Sequence, residues 1–271
     1  MHPIERLRYV ARSSGAPQGA LVRETAAALG SLGFDPAGLV TACRRVLDRH
    51  PASGPLWWLA ARMLTAVDAP DDEGWRCAAD LANDPTAREL AHALPEAATV
   101  CVVGWPELAG EALSRRADLE VLAVDALDEA HGFVRMLLHA GVDAAEVPIA
   151  GLAAAVVDAD LVLLECSAAG GGAFVAVSGS RAAAAVARHA GAPVWMVAGA
   201  GRRLPGVLFG ALLERLDAAR DGDTWDADDE VVPADLVDRV CGPVGPVEPH
   251  VALATADCPV APELLRAVPP L

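Results

Sequence analysis

The chain reads as an α/β protein: an N-terminal helical bundle followed by a doubly wound, mostly parallel, Rossmann-like sheet domain. Three observations predict this. From residue 3 to about residue 94, apolar residues recur three and four apart in segments separated by breakers, the spacing of amphipathic helices. From about residue 95, short apolar runs alternate with helical stretches, the texture of a parallel sheet. Finally, residues 159–203 hold two apolar strands, 160–164 and 193–198, joined by an alanine-rich helix. Such a unit is a right-handed parallel crossover, and sheets of that kind take their ligands beyond the carboxyl ends of the strands. The expected division is a helical domain over 1–95 and the Rossmann-like domain over 96–271.

Taken in order, helices are expected near 4–11, 19–29, 36–49, 56–66 and 73–83, with Ser13-Ser14-Gly15, Gly33-Phe34-Asp35-Pro36, Pro51-Ala52-Ser53-Gly54-Pro55 and Ala69-Pro70-Asp71-Asp72 between them. Trp57 and Trp58 are adjacent on the most hydrophobic of these helices. Adjacent residues of a helix do not share a face, so one indole is expected to meet another domain or subunit. Strands follow at 99–103, 119–124, 147–149 (a short edge piece), 161–164 and 194–198, with helices at 107–116, 129–140, 151–157, 181–190 and 207–220. Residues 221–230 read as an acidic loop, 232–238 as a turn into a short helix, and 242–271 as a proline-rich, largely irregular tail.

Composition narrows the function. Hydrophobic residues make up 54% and aromatics only 4%, so the core is built from Ala, Val and Leu. A formal charge of -16 argues against a direct nucleic-acid partner, because phosphate-binding surfaces are basic. All 21 basic residues are arginine, which excludes a lysine Schiff base and the P-loop lysine. Cys43, Cys77, Cys101, Cys166, Cys241 and Cys258 never come within C-x-x-C spacing, and no H-x-x-x-H pair occurs, so no metal site and no cofactor is expected. The start, Met1-His2-Pro3-Ile4-Glu5-Arg6, has no leader-like layout and no run is apolar enough to span a bilayer. A cytoplasmic protein without a membrane partner is the expectation.

The clearest local feature is Ser178-Gly179-Ser180-Arg181 opening a helix, where free amides, a close-approach glycine and a guanidinium make an anion seat. The neighbouring glycines, Gly171 and Gly172, point to phosphate; the alternative is an ordinary cap with a surface arginine. Arg202, with Arg203, can clamp a second anionic group from the end of the next strand, or stand as a solvated basic pair in an acidic protein. Gly199-Ala200-Gly201 only begins a dinucleotide fingerprint, since Leu204 stands at the third glycine position. Glu165 and Cys166 leave a buried strand at its ligand end, where they can act as an acid/base pair or stand as a satisfied carboxylate and a core filler. Asp125 occupies the equivalent place after the second strand, to bind a hydroxyl or to cap the next helix. No G-x-S-x-G elbow is present.

The order of features resembles the family that unites the alpha, beta and delta regulatory subunits of translation initiation factor 2B with methylthioribose-1-phosphate isomerase and ribose-1,5-bisphosphate isomerase. The matching pieces are Ser14-Gly15-Ala16-Pro17 for its early R-G-A-type turn, Thr99-Val100-Cys101-Val102-Val103 for its first sheet strand, and Val124-Asp125 for the end of a later one. Val156 to Val162 looks like its A-D-x-V strand, Gly171-Gly172 and Ser178-Gly179-Ser180 stand where it has N-G and N-K-I-G-T, and Val232 to Asp238 is similar to its V-P-x-x-L-I-D segment.

The resemblance implies a phosphorylated small-molecule ligand, a sugar phosphate or nucleotide, held by Ser14, Gly15, Gly171, Gly172, Ser178, Gly179, Ser180, Arg181 and Arg202. It also implies a homodimer formed through the sheet domain, burying the apolar helix faces around 207–216. In the isomerases it implies a cysteine just after the first sheet strand and an aspartate in the G-A-D run. Here those positions fall on Val102 or Val103 and on Cys166, and the N-K pair on Ala176-Val177. The reading is therefore a binding protein of this type without the isomerase chemistry. The alternatives are an aldose-phosphate isomerase with its acid/base pair relocated to Glu165, Cys166 and Asp125, and a non-catalytic assembly subunit.

Overall fold

A computed structural model describes residues 17–32 and 35–265. Ser14 and Gly15 lie outside the described residues. The helix expected near 4–11 lies outside them too, and among the described residues four helices come first: α1 (Gln18–Gly30), α2 (Pro36–Arg49), α3 (Gly54–Thr65) and α4 (Pro70–Ala82). Their starts follow from sequence chemistry. The Asp35 side chain accepts from the Gly38 N–H at 2.9 Å ahead of a proline in the first turn, and Ser53 stands in the same place before α3. In α4 the acidic run Asp71, Asp72 and Glu73 sits in the first turn, where the helix dipole favours negative charge.

α5 (Thr86–Ala93) does not join this bundle core; Leu90 and Leu94 pack with Val100, Val102 and Leu161 against the sheet. The elements that follow are β1 (Thr99–Val103), α6 (Glu107–Leu113), β2 (Glu120–Asp125), α7 (Ala130–His139), β3 (Asp143–Pro148), α8 (Leu152–Asp158), β4 (Leu161–Gly170), β5 (Ala173–Val177), α9 (Ser180–Ala190), β6 (Val194–Val197), α10 (Gly206–Ala219), β7 (Asp229–Pro233), β8 (Arg239–Gly242), β9 (Gly245–Val247) and α11 (Pro249–Ala254).

The strands line up β3-β2-β1-β4-β6-β8-β9, parallel except for β9 at the edge. Side chains alternate across the sheet. Val103, Val162, Leu164 and Cys166 face the layer of α8 and α9, whereas Val100, Val102, Leu161 and Leu163 face the layer of α5, α6 and α7.

Three expectations about elements are corrected. The glycine run is a hairpin turn: Gly170 pairs with Ala173, and Gly171 and Gly172 take φ of +57° and +85°, the left-handed pair that a two-residue hairpin requires. β4 therefore runs past Leu164 to Gly170, leaving the parallel sheet after Glu165 to pair antiparallel with β5, which pairs in turn with β7. Asp229 and Glu230, read as the end of an acidic loop, open β7. The segment read as an irregular tail holds β9 and α11, so long-range pairing prevails over its high proline content.

Packing bears on two more. α10 turns Leu208, Phe209 and Leu212 into one core with Trp57, Leu59 and Met63 of α3, so this part of the apolar face around 207–216 is covered within the chain, while Val207 stays exposed. Trp57 and Trp58 are both buried. Trp57 Nε1 donates to the Pro51 carbonyl at 3.0 Å, under the Arg215 guanidinium. Trp58 Nε1 donates to the Asp257 carbonyl at 2.6 Å, so this indole meets the part of the chain expected to form the second domain.

Candidate functional site

From β1 the chain moves outward to β2 and β3, then returns through α8 to β4 on the other side of β1. The reversal makes the carboxyl ends of β1 and β4 the switch point, where an open α/β sheet ordinarily leaves a crevice. Glu165 stands there, level with Val197 of β6. Because Leu164 and Cys166 face α8 and α9, the alternation turns Glu165 to the opposite face. There the Ala109 N–H, in the first turn of α6, donates to Glu165 Oε2 at 2.9 Å.

Arg202 closes the arrangement. Its Nη1 lies 2.7 Å from Glu165 Oε1 and donates at 2.6 Å to the Cys166 carbonyl, and its Nη2 lies 3.8 Å from Glu107 Oε2. The guanidinium, 5% exposed, is aimed inward by its backbone: Ala169 N–H donates to the Arg202 carbonyl at 2.7 Å, and Leu204 N–H to the Ala169 carbonyl at 2.8 Å. Asp84 holds the start of the same loop by accepting the Ala200 N–H at 2.7 Å. Burial alone would depress the Arg202 pKa, but Glu165 and then Glu107 hold it above its ordinary value. Burial in turn raises the Glu107 carboxyl, with Arg202 opposing.

The other acid/base candidates have structural partners. The Cys166 thiol is fully buried, donates to the Val197 carbonyl at 3.3 Å, and is pushed up to about 12 by burial, far from a thiolate at neutral pH. Asp125 Oδ1 accepts the Glu129 and Ala130 N–H groups at 3.0 and 3.2 Å, which caps α7.

The start of α9 lies on the other face. Gly179 takes φ of +97°, and a β-carbon there would sit 3.4 Å from Val103 Cγ1, so the loop passes close over the end of β1. Ser178 is tied down by the β7 side: its N–H donates to the Asp228 carbonyl at 2.8 Å and its hydroxyl to the Ala227 carbonyl. The Arg181 N–H donates to Glu230 Oε1 at 2.8 Å, while the Arg181 side chain is exposed. Ser180 is 0% exposed and its hydroxyl has no hydrogen-bond partner.

Glu165 with Arg202, and the 178–181 turn, are thus two separate places on opposite sheet faces. Gly171 and Gly172 belong to the β4–β5 hairpin. Sequence reasoning missed Glu107, Asp84 and Glu230. Glu107 carried a usable signal, since it follows the first strand by four residues at the ligand end; Glu230 carried none, because only strand pairing brings it to α9.

Solved structures share this architecture. The translation initiation factor eIF-2B of Pyrococcus horikoshii superposes with a TM-score of 0.76 at 13% identity, over 93% of this chain and 98% of that one. The chain has the initiation factor 2B fold. The eIF2B beta subunit of Chaetomium thermophilum has that fold at a TM-score of 0.69 and 15% identity, over 92% of this chain and 88% of its own. A chain of the tetrameric eIF2B-beta2-delta2 complex of C. thermophilum has it at 0.71 and 16%, over 92% of this chain and 91% of its own. No protein-family model and no curated protein matches the sequence. Among the described residues, no helix is long and apolar enough to cross a membrane, and no group of three or more His, Cys, Asp or Glu side chains is placed to hold a metal ion.

Proposed function

We propose that this protein is an initiation-factor-2B-like assembly subunit, a homodimer in its isolated form, that does not carry the isomerase chemistry of its wider fold group. One observation carries the reading: at the switch point Glu165 is tied up, accepting from Ala109 N–H and from the buried Arg202. A group held by two donors in a buried ion pair is poorly placed to take up and release a substrate proton. The buried Cys166 thiol and the capping Asp125 point the same way. The tetrameric C. thermophilum complex, built on the same fold, supports an assembly role.

Sedimentation velocity on the purified chain tests this, with a dimer expected in the micromolar range. A monomer at every concentration removes the homodimer, and turnover of ribose 1,5-bisphosphate or methylthioribose 1-phosphate that is lost in Glu165→Gln removes the non-catalytic part.

A second reading is favoured by Ser180: a buried, unpartnered hydroxyl in the first turn of α9 fits a phosphorylated small molecule bound at that helix start. The two readings are compatible, since the Ser180 turn and the Glu165–Arg202 pair lie on opposite sheet faces.

A further inference from the structure

We propose that the chain's own N-terminal segment, residues 4–12, docks on an apolar patch at the carboxyl rim of β1, β2 and β3. The segment lies outside the described residues; the patch does not. Trp105 follows β1, Leu127 follows β2 and Ile149 follows β3, and all three are exposed. The three strands are hydrogen-bonded neighbours in parallel, so their loops leave the sheet side by side on one edge. Single exposed apolar residues are ordinary, but three on adjacent loops mark a surface that something covers. Two of them are held in position. The Trp105 ring lies 6.0 Å from the Phe133 ring and so close over Gly132 that a β-carbon there would come within 2.7 Å of it. Ile149 Cδ1 would lie 3.5 Å from a β-carbon on Gly179.

The occupant follows from where the described chain begins and from charge. Pro17 is the first described residue, and the next, Gln18, donates its N–H to Glu107 Oε2 at 3.2 Å. Trp105 is two residues from Glu107, a span of at most about 7 Å, whereas residues 13–16 can span about 14 Å. Residue 12 can therefore come to the patch with α1 left where it is. In the sequence, Ile4, Leu7, Val10 and Ala11 fall on one stripe of a 3.6-residue repeat, with Arg6 and Arg8 on its two flanks. Residues 1–16 carry three arginines, Arg6, Arg8 and Arg12, against Glu5 alone, in a chain of formal charge -16. The three loops and the helix starts after them supply the opposite sign: Glu107, Asp128 and Glu129 are exposed there, Asp125 is half-buried, and residues 104–107, 125–129 and 149–151 include no arginine. An apolar stripe edged by cations thus meets an apolar patch edged by carboxylates, which fixes the partner more than area alone would.

Photo-cross-linking of the full chain with a benzophenone side chain at position 7 tests the proposal, with heavy-nitrogen-labelled and unlabelled protein mixed to separate links within a chain from links between copies. Links within one chain to the peptides holding Trp105, Leu127 or Ile149 are expected. Reversing the three charges together, Arg6→Glu with Arg8→Glu and Arg12→Glu, is expected to lower their yield about tenfold and to speed amide hydrogen exchange of residues 126–130 several-fold. These substitutions fall outside every described element, so the fold is not at stake. Links that fall on α1 to α4 place the segment on the helical bundle and overturn the proposal. Links found only between copies give the patch to a second molecule and overturn it as well. A yield and an exchange rate unchanged by charge reversal overturn the charge match on which the choice of occupant stands.

Discussion

The two faces of the sheet at its carboxyl rim differ in how their polar groups are matched. At the switch point, one guanidinium sits between two carboxylates and a carbonyl, and Glu165 also receives the Ala109 amide. At the start of α9, one amide meets a carboxylate and a buried hydroxyl meets nothing. A buried ion pair such as Glu165 with Arg202 is stable only while both members are present, so it behaves as a structural joint.

The largest way to break the contrast is Arg202→Ala. Removing the cation leaves Glu165 buried without its counter-charge, an expected loss of about 3–5 kcal/mol in unfolding free energy by urea titration. A loss under about 1 kcal/mol would mean that water reaches Glu165 and that the crevice is open. Arg202→Met combined with Glu165→Gln should recover a good part of the loss, because both charges then disappear together.

Next in size is Asp229, beside the α9 turn. Its carboxyl is raised from 3.8 to about 6 by burial and then by Asp228. The folded state therefore holds a proton that the unfolded state releases, so this group lowers stability as pH rises from about 4 to about 6 and stays unfavourable above that. Asp229→Asn is expected to stabilise the protein by about 1–3 kcal/mol at pH 8 and by little at pH 4, which denaturant titrations at the two pH values can compare. An equal effect at both would place Asp229 in solvent.

The smallest effect should come from Ser180→Ala without ligand. Losing an unsatisfied buried hydroxyl is expected to raise stability by up to about 1 kcal/mol. A fall of that size would give the hydroxyl a partner in solution and erase the difference between the two regions.

Much of the architecture was legible in short stretches of chain. The helical spacing before residue 95, the prolines with Asp35 and Ser53 at helix starts, and the apolar runs at 99–103, 161–164 and 194–198 each specify their element through contacts a few residues apart. The glycine run misled because Gly-Gly serves a hairpin turn as readily as a phosphate loop. What distinguishes them is whether Ala173 to Val177 finds β4 and β7 as neighbours.

By itself, then, the sequence determined the helix-then-sheet order, the absence of lysine chemistry and the position of Glu165 at a strand's ligand end. Only the tertiary structure decided which groups each charge would meet. Glu165 and Arg202 are 37 residues apart, and Arg181 and Glu230 are 49 apart. Whether such pairs meet depends on strand order, register and the face to which each side chain turns, and none of these is carried by local periodicity.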